Sequence, residues 1–436
     1  MNTDPAIPGS KGILQIAYYF PPIKTVGTLR NARFCQMAPQ YWTNIQVITT
    51  AHAFIFDQEA LSSMGDAQIH PIPSFDFRWF IWRFSQKNTT HFSTNLKQKP
   101  GIGWLRRALD SFPLNVIFGD GGIFYILRGY RQACKLIRQG EISHVFSSFR
   151  PMSDHFLAFL LARRFPHLIW IADFRDIPVD PRLKNVFFPR VQHRILKWIL
   201  QRARLLTTVS EGLAQHLQEH YGRPVEVLYN APMAQQVEVH RIPVFEKFTM
   251  LYTGALYPGL QSAVLLFWAL QRLVQTGAIP AAELQIVVCG KDGALWREWA
   301  TAHQMLDLLN DLGQLPHAQV LALQHASHLN LLLSWNSPEL MGIVTSKLFE
   351  YLQAQKPILA LVNGSAEPEL ESLLQTYAQH SLILHQPWME SRQALEQFLL
   401  LLYQNWKQNQ QSVASAAKSM SWETEMAKVF LPCKNI

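Results

Sequence analysis

A nearly continuous apolar run close to the start of the chain, Ile13 to Tyr19, ends at once in Pro21 and Pro22. A strand with one wet face alternates apolar and polar residues, whereas a run without alternation suits a strand covered on both faces, as in a parallel sheet between helices. The prolines stop it, because neither can donate a ladder hydrogen bond. After a loop holding Gly27, Leu29 to Gln40 suits a helix and Ile45 to Thr50 a second strand, which together make a β-loop-α-β unit.

The same alternation resumes further on. Strands are predicted at Ser143 to Ser147, Leu168 to Asp173, Leu205 to Val209 and Val225 to Tyr229, with helices at Asp154 to Phe165, Val191 to Ala203 and Glu211 to His220. Ser210 is placed to cap the last of these helices and Gly222 to stop it. Asn230 to Lys247 is polar, contains Pro232 and Pro243, and reads as a linker. Beyond it strands are predicted at Phe248 to Tyr252, Leu284 to Cys289, Asn330 to Ser334 and Pro357 to Val362. Helices fall at Ser262 to Gln275, Leu295 to His303 and Ser346 to Ala354. Because 436 residues exceed one hydrophobic core, the expected fold is α/β with two Rossmann-like, doubly wound domains, residues 1–235 and 248–410. A final helix in 411–436 is expected to pack back on the first domain. Two such sheets facing each other would bring the carboxyl ends of their strands to a central cleft.

Composition removes several classes. With 48% hydrophobic and only 16% charged residues the chain has layers to bury and is not a disordered one. No apolar stretch reaches bilayer length, and Met1 to Lys11 lacks the apolar core of a secretory signal, so a cytoplasmic location is expected. Cys35, Cys134, Cys289 and Cys433 are too far apart for a CxxC site and suggest neither a disulfide framework nor zinc. The net charge of +8 could draw nucleic acid, anionic lipid or phosphorylated substrates. No nucleic-acid recognition motif accompanies it, and no nucleic-acid partner is expected. Basic and aromatic residues concentrate between Arg78 and Arg138, in RWFIWRF, GWLRRAL and YILRGYRQACKLIR. That mixture suits an anionic membrane surface, with the protein peripheral on the inner face of the cytoplasmic membrane, and equally suits helices packing on their own domain.

Six segments form a wider pattern: YYFPP with Gly27 and Arg30; SSFRPMSDH, Ser147 to His155; ADFRD, Ala172 to Asp176; TTVSEGLAQHL; LYTGALYPG, Leu251 to Gly259; and SKLFEYLQAQKPILA, Ser346 to Ala360. Together they resemble the family-4 glycosyltransferases of the GT-B fold, of the bacterial surface-glycan type, over most of the chain. Residues 50–131 match least. The resemblance implies transfer of a sugar, with retention, from a nucleotide-diphosphate sugar to a hydroxyl of a saccharide or lipid-linked acceptor in polysaccharide or glycolipid assembly. It implies no metal and no other cofactor, and Asp173 with Asp176 would not by themselves cage a hard cation.

The donor side is expected around SKLFEYL. Thr345 or Ser346 can cap a helix whose unpaired amides and positive dipole end suit a diphosphate, and Lys347 adds a full charge. The resemblance gives Glu350 the ribose hydroxyls. Family members often carry another glutamate eight positions earlier, where this chain has Gly342, and Glu339 stands out of register. Gly254 allows the backbone to approach a phosphate or base, and Gly290 with Lys291 forms the turn expected beside the base. Leu260 stands where many relatives have a basic residue. On the first domain Gly27 and Arg30 form the acceptor or phosphate loop, with a helix-face arginine the alternative for Arg30. Arg175, Asp176 and His155 are assigned to the reacting sugars, with a salt-bridged loop the alternative for Arg175 and a helix-start histidine for His155. Two rival readings are a catalytically degenerate GT-B protein that binds a nucleotide sugar or serves as a scaffold, motivated by Gly342 and Leu260, and a sugar-nucleotide epimerase on the same fold.

Overall fold

The first strand, β1 (Gly12–Ile16), is buried at every position and hydrogen-bonded on both edges, as its unbroken apolar run requires. A computed structural model describes residues 12–23, 26–51, 64–74, 102–180, 184–232, 244–336, 342, 344–378, 380–388, 391–408 and 420–431. They divide into two compact units, Met1–Tyr229 with Met426–Ile436, and Asn230–Glu425.

In the first unit β1 is followed by α1 (Val26–Met37), β2 (Ile45–Thr50) and β3 (Gln68–Ile72). Then come α2 (Ile102–Asp110), α3 (Leu114–Ile117), α4 (Gly122–Gln139), β4 (Ile142–Phe149), α5 (Met152–Arg164), β5 (Ile169–Phe174), α6 (Pro189–Leu200), β6 (Leu205–Thr208), α7 (Glu211–Tyr221) and β7 (Val225–Val227). The strands lie in the order β3-β2-β1-β4-β5-β6-β7, and every pairing is parallel. Helices α4, α5, α6 and α7 pack side by side in that order. The α7 signals act as their chemistry dictates: Ser210 accepts a hydrogen bond from the Leu213 amide at 3.3 Å, and Gly222 takes the left-handed φ of 62° that ends the helix.

The second unit repeats the scheme with β8 (Phe248–Thr253), α8 (Val264–Gln275), β9 (Leu284–Cys289), α9 (Gly293–Ala302), β10 (Leu309–Gly313), α10 (His317–Ala326), β11 (Leu329–Trp335), α11 (Ser346–Ala354), β12 (Ile358–Asn363), α12 (Pro368–Tyr377), β13 (Ser381–His385) and α13 (Arg392–Lys407). Its strand order is β10-β9-β8-β11-β12-β13, again all parallel. Met250, Tyr252, Ile286, Leu331 and Leu359 point from the central strands into a core that also buries Trp296. Among the described residues no helix is long and apolar enough to cross a membrane.

Three strands, β3, β10 and β13, and the helices α3, α10, α12 and α13 go beyond the sequence reading. β3 and β10 stand at sheet edges, where QIHPI and LNDLG need no continuous apolar run and Pro71 costs no ladder partner. The stretch RWFIWRF lies outside the described residues, as do residues 409–419.

The last helix, α14 (Trp422–Phe430), is shorter than the segment assigned to it. Its end belongs to the first unit, where the Phe430 ring lies 5.5 Å from Trp42 and 5.8 Å from Phe34. Phe34 stacks in turn on Phe146 of β4 at 3.8 Å. Truncating a buried phenylalanine removes its transfer free energy and leaves a cavity. Phe430→Ala is therefore expected to destabilise the first unit by about 3–5 kcal/mol, read as a lower urea midpoint. An unchanged midpoint would show that α14 does not hold this unit together.

Candidate functional site

At the carboxyl edge of the first sheet the chain buries a complete ion pair. Arg30 of α1 donates from Nε and Nη2 to the Asp173 carboxylate at the end of β5, at 3.0 and 2.6 Å, and from Nη1 to the Leu228 carbonyl at 2.7 Å. Thr207 and Ser148 donate to the same carboxylate at 2.8 and 3.2 Å. Burial pushes the Asp173 carboxyl up, but Arg30 and Thr207 outweigh it and hold the group below its usual range. Arg30 is thus a structural arginine, 3% exposed, and its guanidinium is committed to Asp173 and Leu228 instead of an open loop.

Around it lie the other residues expected on this side. Gly27 sits in the first turn of α1, not in the preceding loop, and a Cβ there would run into the Arg175 guanidinium. Arg175 follows β5 and donates to the carbonyls of Phe149 and Arg150 at 3.1 and 3.0 Å, while Asp176 beside it is exposed. His155 is buried: its Nδ1 pairs with Ser147 Oγ at 2.8 Å, and Ser147 Oγ also accepts from Trp170 Nε1 at 2.8 Å. Burial pushes the His155 imidazole down to about 3, so it is a neutral, buried histidine packed on Phe174. Its neighbour Asp154, at the start of α5, accepts the Tyr18 amide at 2.8 Å. Burial pushes that carboxyl up to about 8, against the pull of Tyr18 and Tyr125.

The second unit gathers its expected residues at the carboxyl edge of its own sheet. Gly254 ends β8 with φ of 99°, and a Cβ there would meet Lys347 Cε at 2.5 Å. Only glycine supplies both that angle and that space. Lys347, in the first turn of α11, donates to Tyr252 Oη at 2.8 Å and to the Ala255 carbonyl at 3.0 Å, and lies 4.5 Å over the Tyr252 ring. Burial brings its ammonium down to about 8, with Glu350 and Asp292 pulling the other way. Gly290 and Lys291 follow β9. The Gly290 amide binds the Gly313 carbonyl at 2.8 Å and its Cα faces the Gly254 carbonyl, whereas Lys291 is exposed. Thr345 is the N-cap residue of α11 by its backbone, φ −84° and ψ 151°, without a side-chain cap bond, and Ser346 is the first helical residue.

Glu350, one turn into α11, is clamped. His317 Nε2 lies 3.1 Å from Oε1, and Gln324 donates to Oε2 at 3.0 Å. Gln324 also reaches Thr253 Oγ1 at 3.1 Å, which itself pairs with Tyr351 Oη at 3.1 Å. His317 and Gln324 both come from α10, so neither was within reach of the sequence reading. The glycine that ends β10, Gly313, was the one available signal, and it marks only a turn into the next element. Gly342 takes φ of 73° and donates its amide to Glu367 at 2.8 Å. Glu367 also accepts from Asn336 at 3.0 Å. Glu339 lies outside the described residues. Among the described residues no group of three or more histidine, cysteine or carboxylate side chains is placed to hold a metal ion.

Two all-parallel doubly wound units, each with polar and charged groups gathered at the carboxyl edge of its sheet, define the GT-B class of fold. Residues 92–231 match the model of Glycosyltransferase Family 4. The sucrose-phosphate synthase of Thermosynechococcus elongatus is similar with a TM-score of 0.55 and 10% identity, over 98% of both chains. The lipopolysaccharide outer core galactosyltransferase WaaB is similar with a TM-score of 0.54 and 10% identity, over 97% of this chain and 99% of that one. The trehalose-6-phosphate phosphatase N-terminal domain of Candida albicans gives 0.57 and 10%, over 100% and 99%. At such identities the likeness is one of fold. No curated protein sequence matches the chain.

Removing Arg30 would leave Asp173 charged, buried and short of its partner. Arg30→Met is therefore expected to cost about 3–5 kcal/mol of stability, and Arg30→Met with Asp173→Asn less than the single change. A chemical-denaturation double-mutant cycle checks both, and equal losses in the single and double variants would show the pair to be uncoupled.

Proposed function

We propose that this protein transfers a sugar from a nucleotide-diphosphate sugar to an acceptor hydroxyl, and that the second unit holds the donor. The observation that carries this reading is the Lys347 ammonium, set between the glycine turn at Gly254 and the amino end of α11. The first amides of a helix have no partner inside it and carry the positive end of its dipole. With Lys347 they offer a diphosphate the charge it needs, both when bound and when it departs with the bonding electron pair. Glu350, oriented by His317 and Gln324, would accept hydrogen bonds from the ribose hydroxyls. No metal enters this reading. Transfer with retention, and a place in polysaccharide or glycolipid assembly with a saccharide or lipid-linked acceptor, extend it. Product anomeric analysis tests the retention, and an inverted product removes it.

Gly342, with its amide turned to Glu367 in place of a carboxylate side chain, favours the second reading, a GT-B protein that binds a nucleotide sugar without turnover. Product formation by the wild type that is lost in Glu350→Ala excludes it. Interconversion of sugars without acceptor would instead identify an epimerase.

A thermal-shift screen against UDP, GDP and ADP is expected to find one nucleotide that stabilises the wild type. Glu350→Ala should bind that nucleotide roughly 10- to 100-fold more weakly, the loss of hydrogen bonds to a charged group. No response to any nucleotide would remove the donor site. The pH dependence has a definite sign. Lys347 carries its charge below about 8 and loses it above, so diphosphate affinity should hold toward neutral pH. It should then fall by up to about tenfold per pH unit above the ammonium's titration. Lys347→Arg, charged throughout, should flatten the profile in a calorimetric titration series, and a profile as steep as the wild type's would assign the effect to another group.

A further inference from the structure

The turn that carries Gly254 continues through Tyr257, Gly259 and Leu260 to the start of α8, and it turns large side chains to solvent at the carboxyl edge of the second sheet. Tyr257 is 51% exposed and Leu260 43%. The Tyr257 ring lies 6.5 Å from that of Trp335, the half-buried last residue of β11, at an interplanar angle of 61°. The fold holds this turn firmly. Buried Gln261 accepts a hydrogen bond from the Tyr257 amide at 2.9 Å and donates to the Leu333 carbonyl of β11 at 2.6 Å. The Leu256 amide donates to Asp292 at 2.7 Å, and Gly259 takes a φ of 78°. Folding has therefore already removed much of the freedom that a ligand would otherwise have to take from this turn.

Sheet order decides which part of a donor would meet these rings. The strands lie in the order β10-β9-β8-β11. Gly290 and Lys291 follow β9, Glu350 is held by α10, which follows β10, and Lys347 stands at the end of β8. With the donor held as proposed above, on which this inference rests, the base and ribose lie on the β9 and β10 side and the diphosphate lies at β8. The sugar is joined to the far end of the diphosphate, so it falls over the end of β11, beside Tyr257, Leu260 and Trp335. The chemistry there is apolar. From Ala255 to Gln271 the chain has no lysine, arginine, aspartate or glutamate. A pyranose carries hydroxyls around its rim and C–H bonds on its faces, and the negative face of an aromatic ring attracts those polarised C–H bonds. A carboxylate at the same place would lose hydration with no cation of this turn to replace it.

We propose that Tyr257 and Trp335 form an aromatic wall that stacks on the C–H face of the transferred sugar, with Leu260 extending it, and that this wall selects a neutral pyranose over a hexuronate.

The test is calorimetric titration of the full chain with UDP, GDP and ADP, each alone and as its glucose, galactose, mannose, N-acetylglucosamine and glucuronate conjugates. The wild type should bind at least one neutral conjugate more tightly than the nucleotide it contains, and the glucuronate conjugate more weakly than that neutral one. Y257A and W335L should each keep the wild-type affinity for the nucleotide alone and lose about 3- to 10-fold for the neutral conjugate. Unchanged affinity for the nucleotide also shows that each variant is folded. Y257F keeps the ring and should bind as the wild type does. An equal loss for nucleotide and conjugate would assign the rings to the base and overturn the proposal. So would wild-type affinity of Y257A for the neutral conjugate, or a glucuronate conjugate bound as tightly as the neutral one. Failure of the donor reading looks different: the wild type then binds no nucleotide at all, and the proposal falls with it.

Discussion

Parallel pairing is the constraint from which the rest of the molecule follows. A parallel strand cannot be joined to its neighbour by a tight hairpin, so each connection must cross a face of the sheet, and a helix does so while covering it. Both faces of β1, β9 and β12 are covered in this way, which is why GILQI, LQIVVC and ILALVN are nearly continuous apolar runs. The same geometry sends every strand toward one edge. Residues that follow a strand therefore collect there whatever their separation along the chain: Arg175 after β5 beside Gly27 of α1, and Gly254 after β8 beside Lys347 of α11.

Burial at that edge has opposite electrostatic outcomes for two neighbouring carboxyls. Asp173 and Asp154 are both at most 1% exposed. Desolvation pushes each up, yet Asp173 ends below its ordinary range while Asp154 rises to about 8. The difference is the partner. Asp173 faces a guanidinium in bidentate contact, whereas Asp154 faces an amide and a phenol, and neutral donors do not offset the desolvation of a full charge. One carboxylate locks α1 onto β5 as an ion, and the other holds the start of α5 largely as an acid.

How much of this could be read from the residues depends on how local the determining physics is. The central strands were legible because covering both faces leaves a mark in the run itself, as in LQIVVC. The cap of α7 was legible because Ser210 and Gly222 act within their own turn. The edge strands β3 and β10 leave no such mark. Arg30 and His155 illustrate the other limit: residue type suggested an anion and a hydroxyl as partners. What decides each is a group brought from elsewhere, Asp173 at 143 positions away for Arg30 and the covering rings of Phe149 and Phe174 for His155. His317 was hidden because α10, HAQVLALQHA, has apolar and polar residues on all sides and shows no stripe to announce a helix.

Lys347 and Glu350 show the reverse case, in which a local motif and its distant partners agree. A lysine in the first turn of a helix ordinarily works against the dipole. Here it is also drawn over Tyr252 and held by two neutral oxygens, Tyr252 Oη and the Ala255 carbonyl. Neither oxygen carries a charge to match the ammonium, which is why burial lowers its affinity for the proton. An arriving diphosphate would supply the missing charge, raise that affinity and strengthen its own binding in the same act. Glu350, three positions on, is held by α10 and not by Lys347. Its carboxylate draws the lysine's proton affinity up without outweighing burial, and the two side chains can serve different parts of one ligand.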